Sequence, residues 1–154
     1  MDLSNKRLIG EEELMPLIEA QLAAGQKVRY LPFRGVSMLP MLRQGKDAVE
    51  LSPMPERLKK YDLPVYRRKS GQYVMHRVVD VTDTHYICLG DNLTDRETIC
   101  PEQMIAVVSA FRRGEKRISV EDPRYRLYCR VWVALFPLRK GFRRAKRLLR
   151  RLLP

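Results

Sequence analysis

The sequence predicts a mainly β domain that carries a helix at its N-terminal end and a basic amphipathic helix at its C-terminal end. Short runs of alternating apolar residues, separated by turn residues at close spacing, fill the middle of the chain, as is typical of strands in sheets. Apolar residues at helical spacing occur near both ends. An apolar content of 45% in 154 residues is sufficient for one folded core.

The first helix is predicted over residues 11–24. Three glutamates at 11–13 suit the positive end of the helix dipole, and Gly25 follows as a stop signal. Helical spacing predicts one apolar face made of Leu14, Leu17, Ile18 and Leu22.

Strands are predicted over residues 27–33, 48–51, 63–67, 72–81, 85–89 and 104–112. A Lys69-Ser70-Gly71 turn joins the third and fourth of these as a hairpin, and residues 52–60 and 90–98 are predicted loops. We therefore divide the chain into an N-terminal helical segment at 1–26, a β domain at 27–122 and a helical tail at 123–154.

The net charge of +12 lies entirely in the C-terminal part of the chain. Residues 112–154 hold 15 Lys and Arg against 3 Asp and Glu, whereas the remaining 111 residues hold 15 of each. Helices are predicted at 124–136 and 138–153, and the second has one apolar face made of Leu138, Phe142, Ala145, Leu149 and Leu152. This tail is a separate electrostatic feature of the chain.

The composition of the tail allows three interpretations: a solvated charged face, a nucleic-acid contact and a membrane-surface helix. Nucleic acid is disfavoured, since aromatic residues are not interleaved among the last charges and no DNA- or RNA-binding signature is present. An anionic membrane surface is favoured because the apolar side chains of the tail can insert into lipid while its arginines pair with anionic headgroups. The expected membrane contacts are Trp132, Phe136, Phe142, Arg143, Arg144, Arg147, Arg150 and Arg151.

Cysteine usage and the two chain ends predict the compartment. Cys88, Cys100 and Cys129 are odd in number and form no CxxC motif, so we expect free thiols, no structural metal and no cofactor. The N-terminus lacks signal-peptide features, and no run of about 18 apolar residues occurs. The expected location is the cytoplasm, at the periphery of a membrane.

A serine in a tight turn is the first candidate for chemistry. The segment Gly35-Val36-Ser37-Met38-Leu39-Pro40 follows a predicted strand. Gly35 permits a close backbone approach, and Pro40 fixes the turn behind the serine. We expect Ser37 to be a nucleophile whose own N–H can serve as an oxyanion donor, with Val36 and Met38 completing the turn.

A histidine and two aspartates follow in the order that a nucleophilic triad can use. His76 lies in an apolar strand, where burial favours the neutral imidazole that a general base requires, although a satisfied core histidine has the same pattern. His85 is predicted to be solvated. Asp91 and Asp95 share one loop, and either can hold the second nitrogen of His76.

Three boxes in this order resemble a known peptidase group. Gly-x-Ser-Met-x-Pro-x-Leu, then His-Arg-Val, then Gly-Asp-Asn resembles the type I signal peptidases and, more distantly, the LexA-like peptidases of the same fold. The resemblance covers about half of the chain. It implies a coiled β-sheet peptidase domain over 27–122 that cleaves a peptide or a precursor protein.

The resemblance also implies roles for individual residues. Ser37 attacks the peptide bond and His76 takes its proton, as in the endoplasmic-reticulum and archaeal-like branch, whereas most bacterial members use a lysine. An aspartate of the Gly90 loop assists; Asp95 is favoured for this role, and Asp91 for holding the loop.

Departures from the family pattern leave two other functions open. Gly45-Lys46-Asp47 and Tyr61-Asp62 stand where the family usually has Gly-Asp, and no N-terminal membrane anchor is recognised. A dedicated role on one peptide precursor fits better than general export processing. The alternatives are an inactive binding module that uses its basic tail at a membrane surface, and a LexA-like regulator that cuts itself at Ala24-Gly25. The sequence leaves the oligomeric state open.

Overall fold

The fold places two antiparallel sheets between helices at the two ends of the chain. The computed structural model describes residues 10–30 and 35–152. The helices are α1 (Glu11–Ala23), α2 (Pro123–Ala134) and α3 (Phe136–Leu152). The strands are β1 (Val28–Tyr30), β2 (Asp47–Ser52), β3 (Pro64–Arg67), β4 (Tyr73–Met75), β5 (Arg77–Val81), β6 (Tyr86–Leu89), β7 (Glu97–Ile99), β8 (Met104–Arg113) and β9 (Lys116–Ser119).

The larger sheet has the strand order β1-β2-β8-β3-β4, with β9 paired to β8, and the smaller sheet has the order β5-β6-β7. Strand β8 is ten residues long and pairs with β2, β3 and β9. The predicted β character of the middle of the chain is therefore confirmed. The description as mainly β is confirmed only in part, because the described α-helices and strands contain 42 residues each.

The single strand predicted over 72–81 is two strands in two different sheets. β4 pairs with β3 in the larger sheet, while β5 pairs with β6 in the smaller one. His76 is the one residue between them. Alternation alone gives no sign of this break, because apolar residues continue on both sides of it. The chain therefore crosses from one sheet to the other at the candidate base.

Two strands lie where none was predicted. β7 occupies the end of the predicted 90–98 loop, and β9 follows the turn at Gly114. Both are only three or four residues long, and tertiary pairing with β6 and β8 stabilises them. The predicted strand over 27–33 is described only as β1, since residues 31–33 lie outside the described part of the chain.

The first helix forms as predicted, but its buried face is shifted. Met15 and Ile18 are buried, whereas Leu17 is 58% exposed. Gly25, at φ +77°, ends the helix, and its N–H donates to the Leu22 carbonyl. Leu17 is therefore not a core residue.

The two C-terminal helices differ in how they relate to the body. Tyr125 and Cys129 of α2 are buried in the main core, which lies between α1, α2 and the larger sheet. Asp122 caps α2 by accepting hydrogen bonds from the N–H groups of Arg124 and Tyr125. In α3, by contrast, every residue from 141 to 150 is exposed. The body thus holds α2, while most of α3 extends away from it.

Candidate active site

The junction between the two sheets buries His76. The His76 side chain contacts Tyr66 of β3 and Glu97 of β7, and the residue is only 2% exposed. Tyr66, on β3, is fully buried, and its ring meets the imidazole edge to face, with the centroids 6.1 Å apart. Such packing on both sides fixes the orientation of the imidazole ring.

Two oxygens lie near one nitrogen of this ring. His76 Nδ1 is 3.0 Å from the Tyr66 hydroxyl and 3.1 Å from Glu97 Oε1. A carboxylate can only accept a hydrogen bond, so Glu97 favours the tautomer with the proton on Nδ1. The lone pair of the neutral ring is then on Nε2. This is the arrangement in which a histidine acts as a general base through Nε2.

Arg68 holds the Glu97 carboxylate from the other side. Its Nε donates to Glu97 Oε2 at 2.7 Å, and its second nitrogen donates to Oε1. Hydrogen bonds from Arg68 lower the pKa of the Glu97 carboxyl, although partial burial opposes the shift. Glu97 is therefore ionised at neutral pH, and it can stabilise an imidazolium formed on His76.

Burial is the main influence on the protonation of His76. It lowers the pKa of the imidazole below 6.5, and the negative charge of Glu97 opposes this change only in part. At neutral pH the ring is uncharged and ready to accept a proton. A base held in this state is what a serine nucleophile requires.

Neither aspartate expected at His76 contacts it. Asp95 is exposed and makes no hydrogen bond or ion pair with the described residues. Asp91 is buried, but its carboxylate forms a bidentate pair with Arg77, at 2.8 Å and 2.7 Å. The physical reason is register: Arg77 begins β5 opposite Leu89, beside the Gly90 loop, and its guanidinium binds the Asp91 carboxylate there. The carboxylate at His76 is that of Glu97.

The Arg77–Asp91 pair connects the centre of the molecule. Arg77 is fully buried and also donates to the Tyr125 hydroxyl at 3.0 Å, and Tyr128 donates to Asp91 Oδ2 at 3.0 Å. Burial opposes the charge, yet the hydrogen bonds and charge of Asp91 raise the pKa of Arg77 well above its ordinary value. The preference for Asp91 as the residue that holds the loop agrees with this geometry.

The Gly90 loop holds the serine turn in place. The Asn92 N–H donates to the Ser37 carbonyl at 2.7 Å, and the Asn92 side-chain amide donates to the Val36 carbonyl at 3.0 Å. A Cβ on Gly90 would lie 2.8 Å from the Ser37 oxygen, so only glycine permits this approach. The serine box and the Gly-Asp-Asn box are therefore in direct contact.

The serine turn leaves its reactive groups available. Ser37 is half-buried, and neither its hydroxyl nor its N–H donates to a described acceptor. Gly35 has φ +106°, and Pro40 follows a cis peptide bond. Val36 is exposed, while Met38 is buried in the main core and anchors the turn. Among the described residues the Ser37 N–H thus has no acceptor, which an oxyanion donor requires.

Sheet register brings the serine turn and the histidine to the same region. Arg77 pairs with Leu89, so His76 lies beside the start of the loop whose Gly90 contacts Ser37. No hydrogen bond joins the Ser37 hydroxyl to His76 within residues 10–30 and 35–152. A bond of this kind often forms only when substrate is bound. Ser37 and His76 thus lie in the same region of the fold, while the hydrogen-bonding partners of the imidazole are Tyr66 and Glu97.

An apolar groove of about 580 Å³ opens beside the serine turn. Leu39, Pro40 and Asn92 form one side, and residues of α2 and α3 form the other: Trp132, Leu135, Leu138, Arg139, Phe142 and Arg143. Arg139 donates to the Asp91 carbonyl at 2.7 Å and lies 4.0 Å above the Trp132 ring. Arg143 donates to the carbonyl and the side-chain oxygen of Asn92. The C-terminal helices are thus bonded to the loop that holds Ser37.

The tail residues expected at a membrane fall into separate groups. Phe136 is only 7% exposed and packs against Val79 and Leu89, so it is unable to insert into lipid. Trp132 is half-buried in the groove, and Phe142 is 72% exposed. Arg144, Arg147 and Arg150 are exposed; Arg151 lies in α3, but its side chain is outside the described part.

Sequence reasoning missed Glu97, Tyr66 and Arg68. Each is separated from His76 by at least eight positions along the chain. The sequence carries no clear signal for Glu97, because three residues of which two are polar do not predict a strand, and pairing with β6 is what stabilises β7. Its register, with Cys88 opposite Glu97, carries the carboxylate to His76.

Comparisons of the chain with protein-family models, with curated proteins and with solved structures found no match. The resemblance to signal peptidases therefore depends on the three boxes alone. No described helix has the length and apolarity needed to cross a bilayer.

Proposed function

We propose that this chain is a serine endopeptidase of the signal-peptidase type, with a coiled β-sheet peptidase fold, that cleaves a peptide or a precursor protein. Ser37 is the nucleophile, His76 is the general base, and Glu97 positions the imidazole. The observation that carries the proposal is a buried, neutral His76 with its Nδ1 on the Glu97 carboxylate, next to Arg77, which pairs with Leu89 just before the Gly90 that contacts Ser37. Neither the hydroxyl nor the N–H of Ser37 donates to an acceptor among the described residues.

The proposed reaction follows from these groups. The Ser37 oxygen attacks the scissile carbonyl carbon while its proton passes to His76 Nε2, and the carbonyl oxygen becomes an oxyanion at the Ser37 N–H. His76 then gives the proton to the leaving amine, which frees one peptide product and leaves an ester on Ser37. Water, activated by the same base, releases the second product. Glu97 stabilises the transient imidazolium throughout.

Self-cleavage at Ala24-Gly25 has less support. A scissile bond enters such a site as extended chain, whereas Ala24 and Gly25 form the closed end of α1. Their N–H groups donate to the Ala20 and Leu22 carbonyls. We therefore favour a separate peptide as the substrate.

The test is cleavage of a peptide pool with small residues before candidate cut sites, read by mass spectrometry. We expect the wild type to cleave and both Ser37→Ala and His76→Gln to lose activity by at least about a thousandfold. Matched controls are Ser70→Ala and His85→Gln, which change an exposed turn serine and the second histidine. Cleavage that survives in either site variant contradicts the proposal.

A further inference from the structure

The C-terminal helices expose a continuous apolar stripe. Leu138 and Phe142 are 71% and 72% exposed, and Leu149, two helical turns after Phe142, is 60% exposed on the same helix face. Leu127 and Val131 are the exposed large apolar residues of α2, and Leu135, just after the helix, continues the same four-residue spacing. Because Leu135, Leu138 and Phe142 line one groove, the two parts of the stripe meet on one side of the molecule.

Nothing within the described chain covers this stripe. Residues 141–150 are all in the exposed class, and α3 bonds to the body through Arg139 and Arg143 in its N-terminal half. Large apolar side chains gathered on one exposed helix face indicate a contact with a partner. The nature of that partner follows from the rest of the helix.

The charge of α3 limits the possible partners to anionic ones. The helix contains eight Lys and Arg residues and no Asp or Glu, all within 17 residues. A second copy of the chain is disfavoured, because pairing would bring two such helices together. A nucleic acid satisfies the cations but leaves Leu138 and Phe142 in water. An anionic bilayer accepts both faces, with lipid phosphates meeting the cations and acyl chains covering the apolar side.

We propose that α3 docks flat on an anionic lipid bilayer, with Leu138, Phe142 and Leu149 inserted and the flanking cations at the level of the headgroups. A 17-residue helix is about 25 Å long, and α3 is too polar to cross a bilayer. It therefore lies on the surface. This inference is independent of the peptidase proposal.

Docking brings the serine turn to the lipid surface. Leu138 and Phe142 share the groove with Leu39 and Pro40, and Val36 beside Ser37 is itself exposed. Arg143 bonds to Asn92, whose N–H holds the Ser37 carbonyl. A substrate segment lying at the membrane interface thus meets the groove and Ser37 on one side of the molecule.

The test is flotation of the full-length protein with vesicles of phosphatidylcholine, alone or mixed with phosphatidylglycerol, at about 0.15 M salt. We expect binding to the anionic vesicles only. Leu138→Ser/Phe142→Ser removes apolar surface without changing charge and should weaken binding by about tenfold for each side chain. Leu17→Ser, a single change of the same kind at an exposed leucine of α1, should have no effect.

Several outcomes overturn the proposal. Equal flotation of the double variant and the wild type means adsorption by charge alone. Failure of the wild type to float, whether or not it binds duplex RNA or an acidic protein, excludes the lipid surface. As a control for folding, the double variant should unfold thermally at the same temperature as the wild type. Ser37→Ala should float like the wild type, so a failed peptidase proposal and a failed docking proposal give different results.

Discussion

The buried ion pair between Arg77 and Asp91 allows a stability prediction that separates the two aspartates of the Gly90 loop. Asp91→Asn keeps the size of the side chain but removes the negative charge that Arg77 contacts through two hydrogen bonds. Arg77 is fully buried, and its other side-chain partners are a tyrosine hydroxyl and two sulfur atoms, all uncharged. The variant therefore leaves an uncompensated charge in the core.

The magnitude follows from this geometry. Removing one partner of a buried pair costs about 3–5 kcal/mol. The loss of two charge-assisted hydrogen bonds at roughly 1.5–3 kcal/mol each gives an overlapping range of about 3–6 kcal/mol. Because small domains have about 5–15 kcal/mol of total stability, the loss is a large part of the free energy of unfolding.

The assay is urea unfolding followed by the fluorescence of Trp132, the only tryptophan of the chain. Its ring N–H donates to the Asp91 carbonyl, so its emission reports on this region. Asp95→Asn is the matched control, since Asp95 is exposed, and its stability should change by less than about 0.5 kcal/mol. A loss below about 1 kcal/mol in Asp91→Asn, or equal losses in both variants, refutes the reasoning.

Four further predictions concern the site and the tail. Because burial lowers the pKa of His76, the base stays neutral and peptidase activity should persist below pH 6.5. The free energy of unfolding should fall as the pH drops from 6.5 through that lowered pKa, because the unfolded chain binds the proton more readily than the folded chain. Glu97→Gln should cut kcat by about 10²–10⁴-fold and shift that acid limb of the pH–rate profile to lower pH; an unmoved limb means that Glu97 is only structural. Gly90→Ala should lose about 1–3 kcal/mol in urea unfolding through its contact with the serine turn, whereas Gly141→Ala, with open space at its Cβ, should lose nothing; equal effects argue against that contact. Phe136→Ala should lower the free energy of unfolding by about 3–5 kcal/mol, whereas Phe142→Ala should lower it by less than about 0.5 kcal/mol. Similar losses for both variants in thermal unfolding contradict a buried Phe136 and an exposed Phe142.

Local patterns predicted the helices and most of the strands. The spacing of apolar residues located α1 within one residue and located both C-terminal helices, because amphipathic periodicity depends on neighbours in sequence. Pro137 separated the two predicted tail helices, and the structure places it in the first turn of α3, where the missing N–H has no cost. β7 and β9 were missed because three- or four-residue strands depend on their pairing partners.

The candidate site was predictable only in part. Ser37, His76 and the Gly90 loop stood out as boxes of unusual composition, and the structure brings the serine box and the loop into contact. The resemblance to signal peptidases implied that an aspartate of that loop assists His76. The structure places Glu97 there instead, since the pairing of β7 with β6 decides which carboxylate reaches the ring.

The sequence by itself determined the order of elements, the serine turn and the concentration of positive charge in the tail. These depend on residue type and short-range spacing. Only the tertiary structure decided that the chain changes sheets at His76, that Asp91 pairs with Arg77, and that Phe136 is buried while Phe142 is exposed. Each of these depends on strand register and on packing between distant segments, because a side chain's partner is set by the fold around it rather than by its neighbours in sequence.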